Sequence, residues 1–132
     1  MAILTKLIVL AASVSQAYAC VHAWAYIDTG DFPVNDGHYA QLDDNGSTKC
    51  QGFDINSLDQ DGHYHANCVP GYVWAFTTNL RHAWYGYGSA SFQWDTNFES
   101  GETDCGACRE SKSGTHCEKC NAIQFEDYLY GC

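Results

Sequence analysis

His63 and His65 stand two residues apart in the run His63-Tyr64-His65-Ala66-Asn67-Cys68. On an extended strand this spacing points both imidazoles to one face, where they could grip a metal or share acid–base work. The plainer reading, which the sequence favours, is half-exposed strand residues packed among aromatic rings, the kind of position that His22, His38 and His82 also occupy. Cys105-x2-Cys108 with Cys117-x2-Cys120 is the second constellation. Four thiolates so spaced could hold zinc at about 2.3 Å, but an oxidising destination removes the thiolates and favours disulfides. Asp59-Gln60-Asp61-Gly62 offers part of a calcium loop, without the downstream ligand run or the bidentate Glu. The sequence therefore assigns no metal, no cofactor and no catalytic residue.

The chain carries four Trp and nine Tyr among its 132 residues. Much of that load must be core. A surplus on one sheet face would make a sugar-stacking platform or a protein-binding patch. Trp24, His63, His65, Trp74 and Trp84 are the binding candidates. Asn45-Gly46-Ser47 is an N-glycosylation sequon on an expected exposed turn. A hydrolase alternative needs a base, an acid and a cationic stabiliser around one phosphorus. His63, His65, Arg81, His82 and several Glu offer those types, but nothing in their spacing makes them converge.

These residues need a scaffold, and its first mark is an export signal over residues 1–19. Lys6 precedes the apolar run Leu7-Ile8-Val9-Leu10-Ala11-Ala12, and Ala17-Tyr18-Ala19 supplies a small-x-small cleavage site. The run is far shorter than the roughly 20 apolar residues that span a bilayer. Cleavage after Ala19 leaves a single domain over residues 20–132, secreted and beginning at Cys20. The residues ahead of Cys20 do not suit a lipid anchor, so Cys20 is read as a disulfide partner. All eight Cys (Cys20, Cys50, Cys68, Cys105, Cys108, Cys117, Cys120 and Cys132) lie in this part. An even count in an exported small chain implies a disulfide framework, whose pairing among about 105 possibilities is open.

The net charge is −10, and loss of Lys6 makes the remainder one unit more negative. Such a chain is repelled by nucleic-acid phosphate and by anionic membrane surfaces. Neither is expected as a partner. A cell-surface protein or glycan stays open, and so does monomer or homodimer.

Most segments read as strands. Val21, Ala23, Ala25 and Ile27 alternate with His22, Trp24 and Tyr26, a period of two with one face buried. Further strands are expected over 37–42, 49–53, 63–68, 72–77 and 123–130, with hairpins at Asn45-Gly46 and Pro70-Gly71. The longest pattern, His82 to Trp94, is read as one strand bent at Gly86 and Gly88, with His82, Trp84, Phe92 and Trp94 facing the core. A short helical turn near Ile55 to Gln60 is the one helical candidate. Residues 99–121 read as a disulfide-knotted surface loop. The expected fold is all-β, a small disulfide-stapled β-sandwich or β-barrel with little or no helix.

The leader followed directly by Cys20, the acidic aromatic-rich body and the eight Cys ending in Gly131-Cys132 resemble a fungal small secreted cysteine-rich protein. The hydrophobin branch of that group has adjacent Cys-Cys pairs, which are absent here. The resemblance implies an effector or elicitor that works by binding a host or cell-surface partner, without catalysis. In size and acidity alone the chain is also similar to secreted fungal ribonucleases, although their motifs and helix are missing. An aromatic-faced carbohydrate-binding module is the third reading.

Overall fold

Alternation of buried small residues with larger outward ones makes the first strand, β1 (Val21–Asp28), in which Val21, Ala23, Ala25 and Ile27 are buried. The structure is a computed structural model. It describes residues 20–29, 37–130 and 132, with backbone alone at 103–108, 118 and 120; the proposed leader lies outside them. Eight more strands follow: β2 (His38–Asp44), β3 (Ser47–Leu58), β4 (Tyr64–Cys68), β5 (Tyr72–Phe76), β6 (His82–Tyr87), β7 (Ala90–Asp95), β8 (Phe98–Ser111) and β9 (Gly114–Leu129). No helix occurs among the described residues.

All nine strands form one antiparallel sheet in the order β7-β6-β5-β4-β3-β2-β1-β9-β8. Its ends are β7 and β8, yet only Thr96 and Asn97 join them in sequence. In a flat sheet those strands would lie about 38 Å apart, at roughly 4.8 Å per neighbour. Two linking residues reach about 11 Å. The sheet must therefore curl into an open half-barrel, and contacts across its interior hold the curl. On β9, Asp127 accepts from Trp94 Nε1 of β7 at 2.9 Å and from the backbone N–H of Asn97 at 3.0 Å. Tyr85 on β6 reaches Asp44 on β2.

The core follows from the curl. Ala23, Ala25 and Ala40 keep one wall thin, so Trp74, Phe76, Tyr85 and Phe125 can fill the interior from the other strands. Their rings meet edge-on, as in Phe53–Phe76 at 5.1 Å and Trp74–Phe125 at 6.3 Å. Two disulfides fasten this body. Cys20–Cys132 ties the start of β1 to the residues after β9, and Cys50–Cys68 crosslinks facing positions of β3 and β4. Cys117 is disulfide-bonded as well. The side chains of Cys105, Cys108 and Cys120 lie outside the described set.

The structure alters four local readings. His82 to Trp94 is not one strand: it folds back at Gly88-Ser89, with Gly88 at φ 55°. The resulting register pairs Ala83 with Trp94 and Tyr85 with Phe92, odd positions against even. Ala83 and Tyr85 therefore face the core on β6, while His82 and Trp84 face outward; Phe92 and Trp94 point inward as expected. Ile55 begins no helical turn, because it continues β3 to Leu58. Residues 99–121 are a paired hairpin of β8 and β9, not a loop.

Candidate functional site

The outer face of β1 is set by its two neighbours. The ladders place His22 between Tyr128 and Asp43, Trp24 between Glu126 and Gln41, and Tyr26 between Gln124 and Tyr39. Rings and carboxylates or amides thus alternate over three adjoining strands. His22 stacks on Tyr128 at 4.1 Å and 6°, and its other ring neighbour is Trp24 at 4.3 Å. His22 Nε2 donates to Glu126 at 2.8 Å. Gln41 accepts from Tyr39 and donates to Asp43 at 3.0 Å, and Gln51 donates to Tyr39 at 3.1 Å. These bonds hold the polar groups in fixed orientations.

A groove of about 450 Å³ opens on this face, lined by Trp24, Tyr26, Asn97, Glu99, Gln124, Glu126 and Tyr128. That size suits a small ligand, and a few polar groups around aromatic walls are the usual make-up of such sites. Partial burial, aided by the Glu126 charge and hydrogen bond, pushes the Tyr128 phenol above its ordinary value. Burial does the same for Tyr26, with Asp28 adding to it. The exposed Tyr128 phenol is therefore a neutral hydroxyl, able to donate, at ordinary pH, whereas the Tyr26 hydroxyl is buried without a partner among the described residues.

A second cluster lies on the outer face at β4 and β6. Asp59 Oδ1 accepts from the backbone N–H groups of Asp61 and His63 at 2.9 and 2.8 Å, folding the turn that enters β4. Its other oxygen, Oδ2, takes His65 Nε2 at 2.8 Å and lies 3.7 Å from His63 Nδ1. The His63 backbone N–H holds the Asp59 carboxyl below its ordinary range, against a lesser opposing effect of burial. His63 stacks on Trp84 at 4.5 Å, and Trp84 packs edge-on against His82 at 4.5 Å. His82 donates to Asp95 at 2.7 Å, and Trp84 donates to Gln93 at 3.1 Å.

The sequence candidates therefore separate into three places. His63, His65 and Trp84 share the second cluster. Trp24, on β1, lies three strand positions from β4 and five from β6, about 14 and 24 Å along the sheet. Trp74 is fully buried, which removes it from any binding surface. Its strand is apolar on both faces, and the exposed member is Val73, at 58%. Arg81 does not join the histidines: its guanidinium lies over the Phe98 ring at 4.0 Å. His22 keeps company with Trp24, and His38 is elsewhere again, bonding the Phe53 carbonyl. Asn45 occupies an exposed turn.

Sequence reasoning missed Tyr128 and Glu126, because the β1–β9 ladder joins residues about a hundred positions apart, and Glu99, because it reads 99–121 as a loop where β8 pairs with β9. It also missed Asp59 as the partner of the histidine pair, although the Asp59-Gln60-Asp61-Gly62 turn was visible. The Cys20–Cys132 and Cys50–Cys68 bridges fit an oxidising, extracellular-type setting. Among the described residues no helix is long and apolar enough to cross a membrane. Comparison with known proteins finds no family model, no curated protein and no solved structure that matches the chain.

Proposed function

We propose that this chain is an exported cysteine-rich binding protein that acts without catalysis on a cell-surface partner, and that the partner is a neutral glycan. The observation that carries the reading is the groove beside β1, where Trp24, Tyr26 and Tyr128 stand among Glu99, Gln124 and Glu126. Aromatic faces cover the apolar C–H faces of a pyranose, while carboxylates and amides bond its hydroxyls. The bridged, curled sheet supports the same reading by fixing these side chains before a ligand arrives, which lowers the ordering cost of binding. Secretion and an effector-like role at a host surface rest on the leader and on the resemblance of the cysteine pattern. The acid–base reading finds less support, since Arg81 is engaged with Phe98 and not with His63 or His65.

The test is a glycan array followed by calorimetry on the oxidised chain. Binding should saturate at one site, change little with salt, and weaken about tenfold or more in Trp24→Ala. Loss of binding at moderate salt would point to a charged partner instead. RNA cleavage abolished by His63→Ala would overturn the non-catalytic reading.

A further inference from the structure

We propose that Asp59, Asp61, His63 and His65 form a binding site for a divalent transition ion of the zinc and copper class. The site is separate from the glycan groove and does not rest on it. One potential ligand atom from each of Asp59, Asp61 and His63 falls within 4.8 Å of the others. His65 lies outside that set of three and joins it through Asp59 alone, its Nε2 lying on the same Asp59 oxygen that faces His63. Two imidazoles on one carboxylate oxygen are a ligand set for borderline ions; calcium and magnesium prefer oxygen alone.

The spacing fits. Tetrahedral zinc with bonds near 2.0–2.1 Å keeps its ligand atoms about 3.3 Å apart. His63 Nδ1 and Asp59 Oδ2 are 3.7 Å apart, so a modest closure suffices. His65 and Asp59, at 2.8 Å, must open by about as much while the ion replaces their shared hydrogen. The surroundings are arranged to keep these ligands in place. Asp59 uses its first oxygen to fasten the turn, leaving the second for the ion. Trp84 stacks on His63 and limits the rotation of that ring. Ligands held from behind in this way bind more tightly than free ones. Oxidation of the cysteines argues only against a thiolate site; the sequence set the histidine pair aside as ordinary half-exposed strand residues and the Asp59 turn for lack of a bidentate Glu, without bringing the two together. The net charge of −10 draws cations to the surface.

The experiment uses untagged, oxidised protein, with Zn²⁺ as probe in calorimetry and elemental analysis after dialysis. One ion per chain is expected, with affinity reduced about tenfold or more in His65→Ala and in Asp61→Asn. Both side chains are exposed, so these variants should fold, which far-ultraviolet circular dichroism checks. His22→Ala should bind as the parent does. Cu²⁺ should quench Trp84 emission through His63, and Trp84→Phe should remove that part of the quench. Zn²⁺ binding that is absent, that persists undiminished in both variants, or that Ca²⁺ matches at equal concentration overturns the proposal.

Discussion

Tyr85 donates its phenolic hydrogen to Asp44 at 2.7 Å, joining β6 to β2 across the inside of the curled sheet. Both residues are buried, and the second oxygen of Asp44 has no partner among the described residues. Asp44 thus depends on one side-chain donor. Removing that donor should cost more than a hydrogen bond's net worth of about 1 kcal/mol, because a buried carboxylate is left without it. Tyr85→Phe is expected to lose about 3 kcal/mol in urea unfolding, and adding Asp44→Asn should recover part of the loss. A loss below about 1 kcal/mol would mean that water already reaches Asp44.

The same pair makes stability fall in alkali. Burial first, then the bond and charge of Asp44, hold the Tyr85 phenol far above its ordinary 10.0. Below that pH the folded and unfolded chains both keep the proton. Above it the unfolded chain releases the proton and the folded chain retains it, so unfolding is favoured by up to about 1.4 kcal/mol per pH unit. Tyr26, Tyr128 and Tyr130 are raised too and add to the slope. Urea midpoints measured from about pH 9 to about pH 11 should drop steadily, and Tyr85→Phe should flatten the curve. An unchanged slope in that variant would remove Tyr85 from the account.

Asp127 fastens the open seam of the half-barrel, since its carboxylate holds β7 through Trp94 and the β7–β8 link through Asn97. Asp127→Ala strands both donors and should cost about 2–3 kcal/mol, with Trp94 emission shifting to the red as water enters. Asp127→Asn keeps one carbonyl acceptor and should cost less. Equal losses in the two variants would show that charge, not acceptor geometry, is what matters there.

The bridges should differ in worth. Cys20–Cys132 closes a separation of 112 residues and Cys50–Cys68 one of 18. Chain-entropy arguments give about 4–5 kcal/mol for the first and about 3 for the second. Paired Cys→Ser variants, compared by denaturant midpoint, should rank in that order. With all eight Cys oxidised, the intact mass should sit eight hydrogens below the reduced form. A titratable thiol in the native protein would contradict this.

Legibility from sequence tracked how much of each constraint was local. The faces of β1 were readable because one was uniformly small and apolar while the other carried His22, Trp24 and Tyr26. The shared face of His63 and His65 followed from their spacing alone. Gly88-Ser89 was misread because a weak turn signal inside continuous alternation looks like a bend. One unrecognised two-residue turn then reversed the inward face of everything before it. Trp74 was misplaced because Tyr72, Val73, Ala75 and Phe76 leave no polar residue to mark the wet side. The groove could not be read at all, since Trp24 meets Glu126 only through strand pairing at long range.

Asn45 carries two requirements that a glycan would not disturb. It adopts φ 50° ahead of Gly46 at φ 78°, the paired positive angles of a tight hairpin. Its Oδ1 accepts from the Cys20 N–H at 3.0 Å, while its own N–H donates to the Cys20 carbonyl at 2.8 Å. N-glycosylation uses the amide nitrogen, which leaves that oxygen in place, and the turn is exposed. Protein made in a glycosylating secretory host should therefore carry one glycan, seen as added mass and removed by an amidase. The amidase leaves Asp at this position, which retains an acceptor for Cys20, so the unfolding midpoint should hardly move. Ser47→Ala should abolish the glycan at equal stability, whereas Asn45→Ala should cost about 1–2 kcal/mol through the left-handed angle and the lost acceptor. An unglycosylated product from such a host would show that the turn folds too fast, or sits too close to Cys20, for the transferase to reach it.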